Sequence, residues 1–253
     1  MDEQGLAPNW RFCDTLMSYL ITSKAHDVGD KAEELLARME VRKALQQDKE
    51  FDDVNHQTYM FVLHCWKQSA KFRYPGAADR AYRLLRSMEI QSGLDSVSVE
   101  EFERLSDEEK TIVDAVYDRD LAPQCAAYNE VLLACGHVSL KDEQRHAMGI
   151  ADEVYSNMLK RGVVPDSATY NYLLNCCHFL LPPQDKKRRR QLAMKYFDDA
   201  LERQMDNDLV WKALGMMDSK LHHFYSTNRP SSSSSPTAAT EEEEEGGEST
   251  ALS

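Results

Sequence analysis

Val154-Tyr155-Ser156-Asn157-Met158-Leu159-Lys160-Arg161-Gly162-Val163-Val164-Pro165-Asp166-Ser167-Ala168-Thr169-Tyr170-Asn171-Tyr172-Leu173-Leu174 is the stretch that decides the fold. Its centre is a link between two helices. Gly162 ends the first, Pro165 prevents its continuation, and Asp166 can cap the second. Similar links stand at Leu121-Ala122-Pro123-Gln124 and at Gly5-Leu6-Ala7-Pro8-Asn9. Between links, apolar residues recur at helical spacing. Phe12, Leu16, Tyr19 and Leu20 share one face, as do Leu35, Leu36 and Met39, and as do Tyr128, Val131, Leu132 and Cys135. Few segments alternate as strands do, so the chain reads as all-α.

The helices recur in pairs. First helices start with Phe12-Cys13-Asp14-Thr15-Leu16-Met17, Thr58-Tyr59-Met60-Phe61-Val62-Leu63, Ala127-Tyr128-Asn129-Glu130-Val131-Leu132 and Thr169-Tyr170-Asn171-Tyr172-Leu173-Leu174. Each is followed by a second helix, three of which place an Ala seven residues before a Met, Ala32/Met39, Ala81/Met88 and Ala151/Met158, while the fourth keeps the spacing with Ala193 and Ala200. Seven places is two turns, so both lie on one face and let a neighbouring helix approach closely. Pairs of this kind bury their apolar faces only by stacking.

The pattern Tyr-Asn-x-Leu-Leu … Ala-x-x-x-Tyr-x-x-Met-x-x-x-Gly-Val-x-Pro-Asp resembles the pentatricopeptide repeat, a helix hairpin of about 35 residues. The best copy is Cys125 to Asp166, followed directly by Ser167 to Asn171. The resemblance implies an α-solenoid of about four helix-turn-helix repeats, near residues 10–55, 56–92, 125–166 and 167–205. An acidic insertion at 93–121 and a closing helix at 207–224 complete the ordered part, 1–225. The chain departs from the family in spacing. First helices begin 46, 69 and 42 residues apart, from Cys13 to Tyr59 to Tyr128 to Tyr170. The excess lies in the hairpin turns, Val138 to Arg145 among them, and in insertions, one of which carries two capping boxes, Ser98 with Glu101 and Ser106 with Glu109. Two short acidic helices are expected there.

Composition sets the limits. The 253 residues include 42% apolar and 29% charged residues, with ten Gly and eight Pro, too few turn residues for a sandwich or barrel. No run of apolar residues is long enough to span a membrane. The net charge of −13 argues against nucleic acid only until it is located. From Ser226 onward six Glu face one Arg, and between Gly93 and Leu121 ten acids face three bases, which leaves about −1 for the rest. Ser231 to Ser235 and Glu241 to Glu245 offer nothing to bury, so 226–253 is expected to be a disordered acidic tail. The six cysteines form no CxxC pair and sit in apolar runs, which favours a reducing compartment.

No catalytic constellation appears: there is no Gly-rich phosphate loop, no His-Glu-x-x-His and no Gly-x-Ser-x-Gly. The histidines lack metal-ligand spacing, and Cys176-Cys177 reads as packing. The chain is expected not to be an enzyme and to hold no cofactor or metal.

By the resemblance, bases of single-stranded RNA are read one per repeat by two side chains. One follows the Tyr-like position, and the other ends the repeat. Carried over, these are Asp14 with Asn55, Met60 with Gln124, and Asn129 with Asp166, while Asn171 has no clear second residue. An Asn amide can both donate to and accept from a base edge. Asn and Asp at helix starts are equally ordinary caps, so either role fits each of them. The positions that would sandwich a base hold Arg11, Gln57, Ala126 and Ala168, where the family often has Val. Lys186-Lys187-Arg188-Arg189-Arg190 opens a second helix, where positive charge opposes the macrodipole, and is a candidate for phosphate contact.

The resemblance further implies a mitochondrial or plastid protein acting in RNA processing, stability or translation, with other proteins of an organellar RNA-processing complex as partners. The rival expectation is a protein-binding helical scaffold of tetratricopeptide type. Met1 to Asn9 align with the end of a second helix and its link, as Met158 to Asp166 do, so the chain is expected to begin inside a repeat of a longer array. No transit segment is visible at Met1.

Overall fold

The computed structural model of the chain describes residues 15–45, except 17, 21 and 24, and residues 54–228. All regular structure among them is helical. After helical turns within 15–22, the elements are α1 (Val28–Leu45), α2 (His56–Lys71), α3 (Ala77–Gln91), α4 (Val99–Arg104), α5 (Asp107–Val116), a 3₁₀ turn (Arg119–Leu121), α6 (Cys125–Gly136), α7 (Lys141–Lys160), α8 (Ser167–Leu180), α9 (Lys186–Glu202), α10 (Asp208–Met217) and α11 (Ser219–Asn228). Asp14 and residues 229–253 lie outside the described residues.

First helices pack side by side in chain order, α2 on α6, α6 on α8 and α8 on α10. Each also packs on the second helix that follows it, as α2 does on α3, α6 on α7 and α8 on α9. Contacts between α3 and α6, and between α3 and α7, join one pair to the next. The core between them is continuous and contains the recurring small residues Ala32, Ala81, Ala151 and Ala193, all fully buried. Tyr59, Trp66, Tyr128, Tyr170, Tyr196 and Phe197 are its largest buried side chains. Burial of each such side chain contributes about 1.5–3 kcal/mol. At Gly29 the backbone of α1 lies so close to Trp66 that a Cβ would come within 2.3 Å of the indole.

The buried aromatic groups carry polar tips, and nearly every tip ends on a carboxylate of another helix. Tyr59 donates to Glu40 (2.5 Å), Trp66 to Glu33 (2.9 Å), Tyr128 to Glu89 (2.8 Å) and Tyr196 to Asp152 (2.8 Å). Glu40 and Glu89 each follow the repeated Met of a second helix, and each accepts from the Tyr of the next first helix. Asp199 of α9 accepts from both Tyr155 of α7 (2.6 Å) and Tyr170 of α8. These bonds satisfy hydroxyls that would otherwise be orphaned in the core.

The second helices end alike. Gly162 takes a left-handed φ of 74° after α7, and Val163 N–H donates back to Met158 O (3.0 Å). After α9, Gln204 takes the same place with φ 59°, and Met205 N–H donates to Ala200 O (2.8 Å). Helices α4 and α5 sit where the Ser98/Glu101 and Ser106/Glu109 boxes start them, and both boxes close reciprocally. The insertion is tied down at its ends. Val99 N–H donates to Arg161 O (3.1 Å), and Arg161 reaches Glu89 (3.2 Å) and Asp95 (2.5 Å).

Three boundaries differ from the sequence expectation. The closing helix expected over 207–224 is two helices, because Asp218 leaves helical geometry and its carboxylate accepts from Lys220 N–H (2.9 Å) and Leu221 N–H (3.2 Å). Helix α11 continues through Asn228, so the first residues assigned to the tail, 226–228, are helical. Lys141 to Arg145, expected in a hairpin turn, form the first turn of α7.

Candidate nucleic-acid interface

Asn129 is the fifth residue of α6, and Asp166 is the N-cap of α8. Packing of α6 on α8 brings the two side chains together. Asn129 Nδ2 donates to Asp166 Oδ1 (3.1 Å) and Oδ2 (3.3 Å), and Asn129 Oδ1 accepts from the Thr169 hydroxyl (2.8 Å). Asp166 also accepts from Thr169 N–H (2.8 Å), the cap bond of α8. Burial pushes the Asp166 carboxyl up, but hydrogen bonds from Thr169 and Asn129 outweigh it and hold it below the usual value. Asn129 is only 8% exposed, whereas Asp166 is exposed. The pair therefore presents an anionic acceptor edge, with the amide held in one orientation behind it.

Asn55 stands at the equivalent place, the N-cap of α2, with a closed capping box to Thr58. Its expected companion Asp14 is outside the described residues. Gln124 is the N-cap of α6 but makes no side-chain cap bond, and Met60 is half-buried. Asn171, the fifth residue of α8, accepts from Asn175 Nδ2 (3.3 Å). Sequence reading missed one cap position in the next pair. Asn207 caps α10, accepting from Leu209 N–H (3.1 Å) and Val210 N–H (3.2 Å), and so occupies in the next pair the place of Asp166. The signal was present as Asn207-Asp208 before Leu209-Val210; the absence of a Pro-Asp link hid it.

Further along α2 and α6, Lys67 pairs with Glu130 (2.8 Å), with His64 Nδ1 3.5 Å from the same carboxylate. Burial raises the Glu130 carboxyl, and its bonds to His64 and Lys67 more than reverse that. His137 is pushed below the ordinary imidazole value by burial and by Lys71 and Lys67.

The cationic run is not one surface. Lys186, Lys187 and Arg188 are exposed in the first turn of α9, where Asp185 caps by accepting from Arg188 N–H (3.3 Å). Arg190 is bound to Asp218 (2.5 Å), and Arg189 Nη2 lies 3.3 Å from His178 Nδ1. Helices α8 and α9 form a hairpin, so this cluster sits at the opposite end of α8, roughly 20 Å along the helix from Asp166 and roughly 14 Å from Asn171 at about 1.5 Å per residue. The base-reading candidates and the phosphate candidates are thus not brought together.

The thiols are packing groups. Cys135, Cys176 and Cys177 are buried, and burial pushes Cys135 and Cys177 up to about 12. Among the described residues, no group of three or more His, Cys, Asp or Glu could hold a metal ion. No described helix is long and apolar enough to cross a membrane.

No family model, curated protein or solved structure matches the chain. The functional reading therefore rests on geometry and on the repeat pattern.

Proposed function

We propose that the chain is an α-solenoid of pentatricopeptide type that binds single-stranded RNA at the starts of its first helices. One observation carries the reading. Asn129 and Asp166, separated by 37 residues in sequence, meet at 3.1 Å as the fifth residue of one first helix and the cap of the next. That is the geometry two cooperating side chains need to read one base. The carboxylate fixes the amide, and the remaining acceptor capacity of Asp166 and Asn129 suits a ring N–H donor such as that of uracil. A hydrogen bond of this kind contributes about 1 kcal/mol, so one pair biases base choice without defining a target. Asn171 with Asn207, and Asn55 at the start of α2, give further positions of the same type. Lys186, Lys187 and Arg188 are exposed cations placed to contact phosphate. By the same reading the protein works in a mitochondrion or plastid, with other proteins of an RNA-processing complex. It acts by occupying a transcript and not by chemistry.

The test is selection of binders from randomised RNA by the full chain. One selected position should prefer U and shift toward a purine in Asn129→Ser, the other positions staying fixed. If no position responds, Asn129 and Asp166 are only packing and cap residues. A protein-binding scaffold is the second reading. It is favoured by the acidic helix α5, which leaves Ile112 (66%) and Val116 (69%) exposed.

A further inference from the structure

A cavity of about 500 Å³ opens between the first turn of α9 and the junction of α10 with α11. Lys186, Arg189, Arg190, Asp218 and Lys220 line it together with Met216. Four cations therefore face one carboxylate, and that carboxylate is already committed. Asp218 binds Arg190 through Nε (2.5 Å) and Nη2 (3.3 Å) while its Oδ1 also accepts from the first N–H groups of α11.

Arg189 is the telling residue. It is half-buried, and its Nη2 contacts only His178 Nδ1 (3.3 Å). Its Nε is buried with no hydrogen-bond partner among the described residues. His178 is pushed below the ordinary imidazole value by burial and by Arg189 itself, so at neutral pH it accepts from the guanidinium without cancelling its charge. A guanidinium cannot shed its proton, and a partly buried charge without a counter-charge is costly. Lys186 and Lys220 add two further ammonium groups that, among the described residues, have no carboxylate within ion-pair distance. The excess over Asp218 is three positive charges, which an anion of charge near two would largely neutralise.

We propose that this cavity is a binding site for a phosphate monoester, held by Arg189 with Lys186 and Lys220 while Arg190 stays on Asp218. Guanidinium favours phosphate through paired N–H donors, and at neutral pH a phosphate monoester carries about 1.5–2 negative charges. The assignment rests on the reading of this cluster as phosphate ligands but not on base reading, which takes place at the other end of α8. The same chemistry has two sources, the terminal phosphate of an RNA and a free phosphate compound.

The experiment is thermal unfolding of the full chain in inorganic phosphate against chloride at matched ionic strength. Binding of short RNAs of one sequence with and without a 5′ or 3′ phosphate is measured alongside. Phosphate should raise the unfolding temperature saturably. Arg189→Gln should weaken phosphate binding roughly tenfold. Should Arg189→Gln fail to fold, the surface variant Lys186→Ala/Lys220→Ala carries the same expectation. A preference for phosphorylated RNA that these variants abolish identifies an RNA end as the ligand. Phosphate stabilisation without that preference identifies a free phosphate compound, and either result upholds the site. If phosphate stabilises no more than chloride, or the variants respond as the parent does, there is no phosphate site. Loss of RNA binding with the phosphate response intact would count against base reading alone.

Discussion

Replacing Asp199 by Asn keeps the shape of the α7–α8–α9 junction and removes one charge. In the parent, one carboxylate oxygen accepts from Tyr155 (2.6 Å), Tyr170 and Arg203 Nε (2.9 Å). Hydrogen bonds to a charged acceptor contribute about 1.5–3 kcal/mol each and neutral ones about 1, so the two tyrosine bonds lose roughly 1 kcal/mol apiece. Arg203 is 37% exposed and pairs within its own helix, so its loss adds at most about 0.3–0.5 kcal/mol. The expected cost at neutral pH is about 2 kcal/mol, or about 4–8 °C in unfolding temperature for a chain of this size. A pH signature separates this cause from general disruption. Burial raises the Asp199 carboxyl, but Tyr155, Tyr170 and Arg203 together hold it below its ordinary value. The stability it supplies is therefore fully present above the unfolded carboxyl value near 4, and is lost as pH falls through the lower folded value. Urea unfolding followed by circular dichroism should show the gap between parent and Asp199→Asn at pH 7 closing in acid. A variant as stable as the parent, or a gap that persists in acid, would refute the assignment of this carboxylate as a charged tie.

Gly29→Ala should lose about 1–3 kcal/mol, read as a lower urea midpoint, because its Cβ would meet the Trp66 indole at 2.3 Å and both α1 and α2 would have to give way. Lys186→Ala/Lys187→Ala/Arg188→Ala should weaken RNA binding evenly across sequences. It should also flatten the slope of log affinity against log salt by about 2, at about 0.7 per phosphate contact on a single strand. An unchanged slope would return these cations to ordinary solvation.

Much of the architecture was legible because helix pairing is written in local chemistry. Ala seven places before Met in three second helices, and before Ala200 in the fourth, marks where second helices approach their neighbours, and all four leading Ala positions are fully buried. Capping boxes at Ser98 and Ser106 placed α4 and α5 inside an insertion with little apolar content. The break at Asp218 was not legible in the same way. The apolar period from Leu209 through Met217 to Leu221 runs on without Pro, its one glycine, Gly215, lies inside α10 and not at the break, and only the cap bonds of Asp218 reveal two helices. Asn207 was passed over because its link lacks Pro, although an Asn followed by an apolar run is a cap signal in its own right. The meeting of Asn129 with Asp166 followed from the repeat pattern. The closure of the amide by the Thr169 hydroxyl did not, since it depends on the depth to which α8 packs on α6. Nor could the sequence show that Arg189 faces His178 and Arg190 faces Asp218 while Lys187 and Arg188 are exposed.

Photocrosslinking is the most direct test of the proposed RNA contact. RNA carrying 4-thiouridine is bound to the full chain, irradiated and mapped by mass spectrometry of the attached peptides. Contact at the starts of the first helices predicts crosslinks in peptides holding Cys125 to Glu130 and Asp166 to Asn175, with a second set around Asn207. Crosslinks confined to the acidic insertion or to the Lys186–Lys220 region, or none at a protein concentration that saturates binding, would contradict base reading by Asn129 and Asp166.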